Sequence, residues 1–419
     1  MKVGIAGAGI GGLSLALMLQ RRGIEVEVWE AVQNIRPLGV GINLLPHATK
    51  ELTELGLGAK LAELGVETSS LAYYNKLGQL IWKEPRGIAG GYPWPQYSVH
   101  RGEFQMLLLG EVEAQLGAHV VHKGLRAMSF EQTDAQVAVS LRAHDGSLKS
   151  RTVDVLVAAD GIRSQLRQQN RPAAGDPFRY SGRVLWRGAV ECDAFLDGRS
   201  MFMAGHPDQK FVAYPISEQA RRRGRSLINW IAELRVPQPG EEDWNRLADK
   251  RVFQDAFASW NWGWIDIPAL IEKTELVYEF PLVDKDPLGR WSYGRMTHLG
   301  DAAHPLYPIG SNGAAQAILD ARCLADSLAR QSDAQLALRE YEADRLPKTA
   351  AIALRNRLHG PEQVMELAEL RAPQGFTDIE RVIPRTELEA IALRYKQLAG
   401  FDLQSLQGAA ARARQGGPA

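Results

Sequence analysis

The sequence predicts an α/β fold with an inserted antiparallel sheet and helices at its C-terminal end. Three observations carry this. The first thirty residues read as strand, glycine turn, helix and second strand ending on an acid. The stretch Tyr180 to Tyr278 is rich in β-branched and aromatic residues separated by polar turns. The chain then returns to a short strand ending in Gly300-Asp301, followed by long helical patterns.

At the start, Val3 to Ala6 is an apolar run, Gly7-Ala8-Gly9-Ile10-Gly11-Gly12 follows directly, and Leu13 to Gln20 repeats apolar residues at helical spacing. Gly7 permits the tight turn, Gly9 keeps a Cβ out of the path of a pyrophosphate, and Gly12 lets the helix lie close on the strand. Gly11 completes the turn. The helix start offers unpaired N–H groups and a positive dipole end to phosphates. Val26 to Trp29 forms the second strand, and Glu30 at its end can accept from ribose hydroxyls. That carboxylate disfavours a free 2′-phosphate through like-charge repulsion. The pattern is that of a Rossmann-like dinucleotide site. Lys2 with Val3 to Leu19 does not suit a secretion signal, because glycines interrupt the apolar run and no small-residue cleavage site follows.

A chain of 419 residues can bury a substantial core and suffices for two domains plus an extension. Lys plus Arg equals Asp plus Glu at 49 each, so no global field favours nucleic acid or an anionic membrane. No apolar run is long enough to span a bilayer. Cys192 and Cys323 offer neither a disulfide scaffold nor metal-ligand spacing, and a cytoplasmic protein without a metal is expected.

Beyond Glu30, Arg36-Pro37-Leu38-Gly39-Val40-Gly41-Ile42-Asn43 is punctuated by glycine and leads to Pro46 and a helix through Leu55. Its backbone at Val40 and Gly41 is a candidate to lie against a flat ring. His47, in the first helical turn, is either structural or a substrate contact. Leu71 to Lys83 alternates about Gly78 as a hairpin. Tyr92 to Arg101 is a rigid aromatic loop or edge strand entering the helix Glu103 to Leu116. Arg101 stands before a helix start, where a cation is unfavourable without a compensating partner, which makes it a ligand candidate.

Val120 to Phe130, Gln136 to Ala143 and Thr152 to Val157 read as strands, with Asp145-Gly146 a hairpin turn. Asp160-Gly161, before a basic helix start, resembles a second phosphate-facing turn. In the central region Val184 to Gly188, Phe211 to Pro215 and Ser226 to Trp230 read as antiparallel strands, one face of which can cover a ligand. Trp186, Arg187, Tyr214 and Trp230 are its pocket candidates. Alternation puts Trp186 and Arg187 on opposite faces, so at most one enters. Arg221 to Arg225, with Gly224, reads as a solvated turn. Gly300-Asp301 can present a carboxylate to a sugar hydroxyl, and Asn312-Gly313 opens a helix through Leu328 whose N-terminus can stabilise developing negative charge. Leu336 to Arg357 and Glu387 to Leu398 read as helices, and the Gly/Ala/Arg tail after Gln407 as frayed.

The glycine turn ending at Glu30, Asp160-Gly161 with Arg167, and Gly300-Asp301 with its Pro-rich turn together resemble the single-component, FAD-dependent aromatic hydroxylases of the para-hydroxybenzoate hydroxylase superfamily, over roughly Met1 to Pro347. Arg36 to Asn43, His100 to Glu103 and Asn312 to Asp320 look most like the phenazine-1-carboxylate-type monooxygenases. Salicylate and urate hydroxylases are similar at lower density. The resemblance implies bound FAD, with Glu30 on the adenosine ribose, Arg101 near the ribityl and pyrophosphate, Asp301 on a ribityl hydroxyl and Leu125 near the adenine. It implies that Asp160 serves FAD and the nicotinamide cofactor, and that Gly313 and Asn312 face the flavin. It further implies reduction by NADH or NADPH, O2 addition at the flavin C4a, and transfer of oxygen from the C4a-hydroperoxyflavin to a small aromatic or N-heteroaromatic substrate. Pro305, Tyr214 and Asn312 are the catalytic candidates.

The expected domains are an FAD-binding part at 1–70, 98–177 and 292–350, a substrate part at 71–97 and 178–291, and a helical extension at 351–419, in a monomer or homodimer. Gly310-Ser311-Asn312-Gly313 departs from the Gly-x-Gly-x-Asn turn of many members, and no second glycine-rich βαβ unit exists for NAD(P)H. Two rival readings are a flavin-dependent halogenase and a flavin-binding redox sensor without turnover. Trp262-Gly263-Trp264-Ile265-Asp266-Ile267-Pro268 is similar to the halogenase Trp-x-Trp-x-Ile-Pro signature but one residue too long.

Overall fold

Strands Lys2–Ala6, Glu25–Glu30, Val121–Lys123, Val155–Ala158 and Met296–His298 form a parallel sheet in a computed structural model. It describes residues 1–37, 39–171, 175–193, 195–237 and 246–415; Leu38, part of the Arg36 to Asn43 stretch, lies outside the described residues. Lys2–Ala6 is flanked by Glu25–Glu30 on one side and Val155–Ala158 on the other, so the strand order reverses about it. Val3, Ile5, Val155, Leu156 and Val157 are fully buried, as strands covered on both faces require. The helix Ile10–Gln20 packs between Arg101–Leu116 and Gly313–Arg330, and all three share one core with the sheet.

A seven-stranded sheet forms the second layer, in spatial order Val277–Lys285, Phe178–Asp193, Arg225–Arg235, Gln209–Pro215, Ser200–His206, Ser70–Tyr74 and Leu80–Pro85. Only the Ser200–His206 and Ser70–Tyr74 pair is parallel. One face buries Phe253, Phe257 and Trp260. The other meets Val364, Met365, Leu388 and Ile391 of the C-terminal helices and, further along, the flank of the parallel layer.

Four local expectations are corrected. Thr152 to Val157 is not one strand: Thr152 and Val153 end Leu148–Val153 in the small antiparallel sheet, and Val155–Ala158 belongs to the parallel sheet. Val120 to Phe130 is not one strand: Gly124 takes φ +74° and divides it into Val121–Lys123 in the parallel sheet and Leu125–Gln132 in a small antiparallel sheet. Arg221 and Arg222 end a short helix, Glu218–Arg222, and both pair with Glu218, so only the stretch around Gly224 is a turn. The tail does not fray after Gln407; Leu403–Gln415 is helical, with Leu406 packed beside Phe401. No helix among the described residues is long and apolar enough to cross a membrane.

Candidate active site

Between the two layers lies a cavity of about 570 Å³. Its floor is made by the carboxyl ends of the parallel strands: Gly7 after the first, Glu30 ending the second, Asp160 beyond Val155–Ala158, and Asp301 after Met296–His298. Loops gather there at the reversal of strand order, the place where open α/β sheets bind ligands.

The glycine turn is built as its composition requires. Gly7 has φ +110°, and a Cβ on it would collide with the Ala159 carbonyl. A Cβ on Gly12 would strike the Gly7 carbonyl, so Gly12 sits behind the turn and brings the helix close. Gly11 lines the cavity and packs against Leu299 and Ala317. Gly9 lines it too, with open space where a side chain would project.

Two helices start at this cavity without side-chain caps, one after Gly9 and one after Asn312. Their first N–H groups are therefore left for a ligand, and their dipoles favour negative charge there. Gly313 also has open space at its Cβ position. Asp160 Oδ1 and Arg187 Nε are buried without a partner, although both residues line the cavity. Orphaned buried polar atoms of this kind call for a bound group.

Glu30 accepts from the N–H groups of Ala8 and Val32, each at 2.8 Å, which fixes the carboxylate while leaving lone pairs for hydroxyl donors. Asp160 Oδ2 accepts from the Gln165 N–H at 3.0 Å, and burial raises its pKa. Arg101 is the first residue of its helix, Arg101–Leu116, rather than lying ahead of it. It is exposed to the open cavity, where the surrounding walls disfavour its charge and Asp301 supports it. Asp301 is likewise exposed to the cavity, and the surrounding walls raise its pKa, opposed by the charges of His304 and Arg101. Leu125 lines the cavity near Glu30, whereas Val40 is buried behind it and receives the Arg101 N–H at its carbonyl at 3.0 Å.

From the opposite wall, Arg187 Nη2 donates to the Gly41 carbonyl at 2.8 Å and the Tyr214 hydroxyl donates to the same oxygen at 3.0 Å. The Gly41 N–H in turn reaches Asn229 Oδ1 at 2.7 Å. Gly41 is thus fastened to the sheet that covers the cavity. Burial lowers the Arg187 pKa and raises that of Tyr214, which therefore stays a protonated phenol at neutral pH.

Four of the expected contacts are elsewhere. Trp186 turns to the far face of the sheet, donating to Glu279 Oε2 at 3.0 Å and stacking on Phe253, as its alternation with Arg187 demands. Trp230 shares that face, donating to Thr274 Oγ1 at 2.8 Å and stacking on Phe211. His47 is buried against Phe401 at 5.3 Å and is not on the cavity wall. Pro305 faces a separate small cleft beside Trp291, while Leu306 and Pro308 reach the cavity.

Lys210, Glu233 and Glu362 do line the cavity and were not anticipated. Lys210 shares the Tyr214 face at a spacing of four, so alternation along the strand contained the signal. Glu362 comes from the extension and had none. Trp262 and Trp264 stack with Trp260 on the far side of the sheet and do not line the cavity, so the halogenase-like stretch has no access to it.

Residues 1–356 match a family described as FAD binding domain. This chain belongs to the FAD-binding aromatic hydroxylase superfamily. Within that family it is 46% identical over 362 residues to phenazine 1,6-dicarboxylic acid hydroxylase PhzS of Lysobacter antibioticus, covering 84% of this chain and 88% of that protein. It is 30% identical to 3-hydroxybenzoate 6-hydroxylase of Polaromonas naphthalenivorans, covering 89% and 93% of the two chains. Among solved structures, Klebsiella pneumoniae HpxO complexed with FAD and uric acid matches with a TM-score of 0.74 at 25% identity, over 97% of each chain. The uncapped helix starts, the open glycines and the orphaned polar atoms fit the cofactor named by the family.

Proposed function

We propose that this protein is a single-component monooxygenase that hydroxylates an aromatic or N-heteroaromatic carboxylic acid, using NADH or NADPH and O2. The observation that carries this reading is one cavity walled on one side by the dinucleotide turn and on the other by Arg187, a cation with no carboxylate partner among the described residues. The named substrates of several relatives are aromatic acids, which agrees with it.

When bound, FAD supplies the redox chemistry that activates oxygen. Glu30, Arg101, Asp160, Asp301 and the helix starts at Gly9 and Asn312 would hold it, with Asn312 and Gly313 next to its flavin end. Arg187 would receive the substrate carboxylate through donors not used on Gly41. Tyr214 holds the Gly41 carbonyl and keeps the wall of the site in register. Met203, Val212, Ile231 and Leu185 present an apolar surface that positions the ring and excludes water.

The test is oxygen uptake by the flavin-loaded enzyme with each nicotinamide cofactor across aromatic acids, with O2-derived label followed into product. Arg187→Met should raise KM for the acid by about tenfold, the worth of a hydrogen bond to a charged group, and leave its methyl ester unaffected. Flavin retention without substrate-stimulated oxygen uptake would instead support the sensor reading.

A further inference from the structure

An asparagine at the start of a helix commonly accepts from the N–H groups of the first turn and so caps it. Asn312 stands at the start of Gly313–Arg330 and makes no such bond. Its backbone lies in the helical region, with φ −111° and ψ −8°, rather than in the extended region that a capping residue takes. Its side chain is turned into the protein, beside His47 and Tyr395.

The reason stands one turn further along the same helix. Gln316 Nε2 donates to Asn312 Oδ1 and to the Ala399 carbonyl, each at 3.2 Å, and Gln316 Oε1 accepts from Arg345 Nη2 at 2.5 Å. A guanidinium only donates and a carbonyl only accepts, so Arg345 and Ala399 fix which way the Gln316 carboxamide points. Its amide end then faces Asn312 and takes up the oxygen that would otherwise cap the helix. Arg345 is held in turn by Asp320, donating from Nε to Oδ1 at 2.7 Å. All four members of this chain, Asp320, Arg345, Gln316 and Asn312, are buried, so water does not compete for their hydrogen bonds.

Resting on the reading above, which puts the flavin end of FAD beside Asn312 and Gly313, we propose that Gln316, aimed by Arg345 and Ala399, is a positioning residue. It holds the Asn312 carboxamide off the first helical turn, so that the N–H groups and positive dipole end there act on the flavin rather than on a side chain. Reduction adds negative charge to the flavin ring, and donors kept free for that charge favour reduced over oxidised FAD. Without Gln316, Asn312 is released to take extended backbone and cap its own helix. Ala399 ends Arg385–Ala399, past the end of the family match at residue 356, so the extension supplies one of the two groups that aim Gln316.

The test is the midpoint potential of bound flavin, read by reductive titration against a reference dye, in the FAD-loaded wild type and variants. Gln316→Met keeps the side-chain length and removes the hydrogen bonds. It should shift the balance toward oxidised FAD by about tenfold, the scale of a hydrogen bond to a charged group, which is a fall of about 30 mV for a two-electron couple. Asn312→Ala leaves no carboxamide to cap with and should keep the wild-type potential. The double variant Gln316→Met/Asn312→Ala should recover that potential, although it removes more of the chain of hydrogen bonds than Gln316→Met does.

An unchanged potential in folded, flavin-loaded Gln316→Met overturns the inference. A fall in Asn312→Ala overturns it too, because the carboxamide itself would then serve the flavin; this variant decides alone should Gln316→Met not fold. A double variant as low as Gln316→Met also overturns it, since lost packing rather than capping would be the cause. A wild type that takes up no FAD sinks both this inference and the cofactor reading beneath it. The readout needs no turnover, so absence of oxygen uptake would sink the hydroxylase reading alone.

Discussion

Asp301 illustrates how a single side chain is prepared for a ligand. Its carboxyl is exposed to the open cavity, the surrounding walls raise its pKa by thinning its solvent shell, and His304 and Arg101 counter that shift. The resemblance assigns it a ribityl hydroxyl. Asp301→Ala should therefore weaken FAD binding by about tenfold or more while leaving the circular dichroism spectrum unchanged. Equilibrium dialysis of FAD checks this, and undiminished retention would remove the assignment. Such residues were legible because chemistry and sequence position coincide: a glycine turn, an acid after a strand, a Gly-Asp corner. The aromatics were not. Period-2 alternation says that Trp186 and Arg187 oppose each other, but not which face is covered by other residues, and Trp230 and Trp186 both went to the side filled by Phe253 and Phe257.

At the scale of elements, the helix Gly313–Arg330 is tied to the turn beneath it by Asp320. One oxygen accepts from the Gly300 N–H at 3.1 Å and contacts His304 Nε2 at 2.5 Å; the other accepts from Arg345 Nε at 2.7 Å. Burial pushes this carboxyl upward, but the charges and hydrogen bonds of His304 and Arg345 outweigh it and hold it at about 2. A depressed carboxylate contributes stability that is present above its ordinary pKa near 3.8 and is lost as pH falls toward about 2. Asp320→Asn should cost about 3 kcal/mol at pH 7, the scale of a broken buried ion pair. The difference from wild type in urea unfolding should shrink below pH 4; a constant difference would refute the coupling. Both long helices were readable from their periodicity. The final one was not, because Gly408 suggested fraying, whereas the Ala and Arg around it are strong helix formers and Leu406 anchors it in a buried cluster.

For the molecule as a whole, the two layers and the extension meet in a core that contains histidines rather than only hydrocarbon. His47 stacks under Phe401 of the extension with the Asn312 side chain beside its ring, and His298 lies in the last parallel strand with neither ring nitrogen hydrogen-bonded. That the extension closes over both layers was invisible in the sequence, since it depends on contacts between segments hundreds of residues apart. Burial holds each imidazole at about 3, with the charges of Arg345 for His47 and Arg167 for His298 acting in the same direction. An unfolded histidine takes up its proton near pH 6.5, so the unfolded state binds more protons between that value and about 3. Stability from these two groups is therefore complete above pH 6.5 and is lost on acidification, by up to roughly 1.4 kcal/mol per pH unit for each histidine. The window from pH 6.5 to 5 is the most informative, because it lies above the ordinary range of the carboxylates. His47→Leu should retain a folded chain and reduce the pH slope of the unfolding free energy there by about one proton, with His298, His100 and His206, each also held below its ordinary pKa by burial, contributing to the remainder. An unaltered slope in this variant would mean that His47 is protonated, or reaches solvent, in the folded protein.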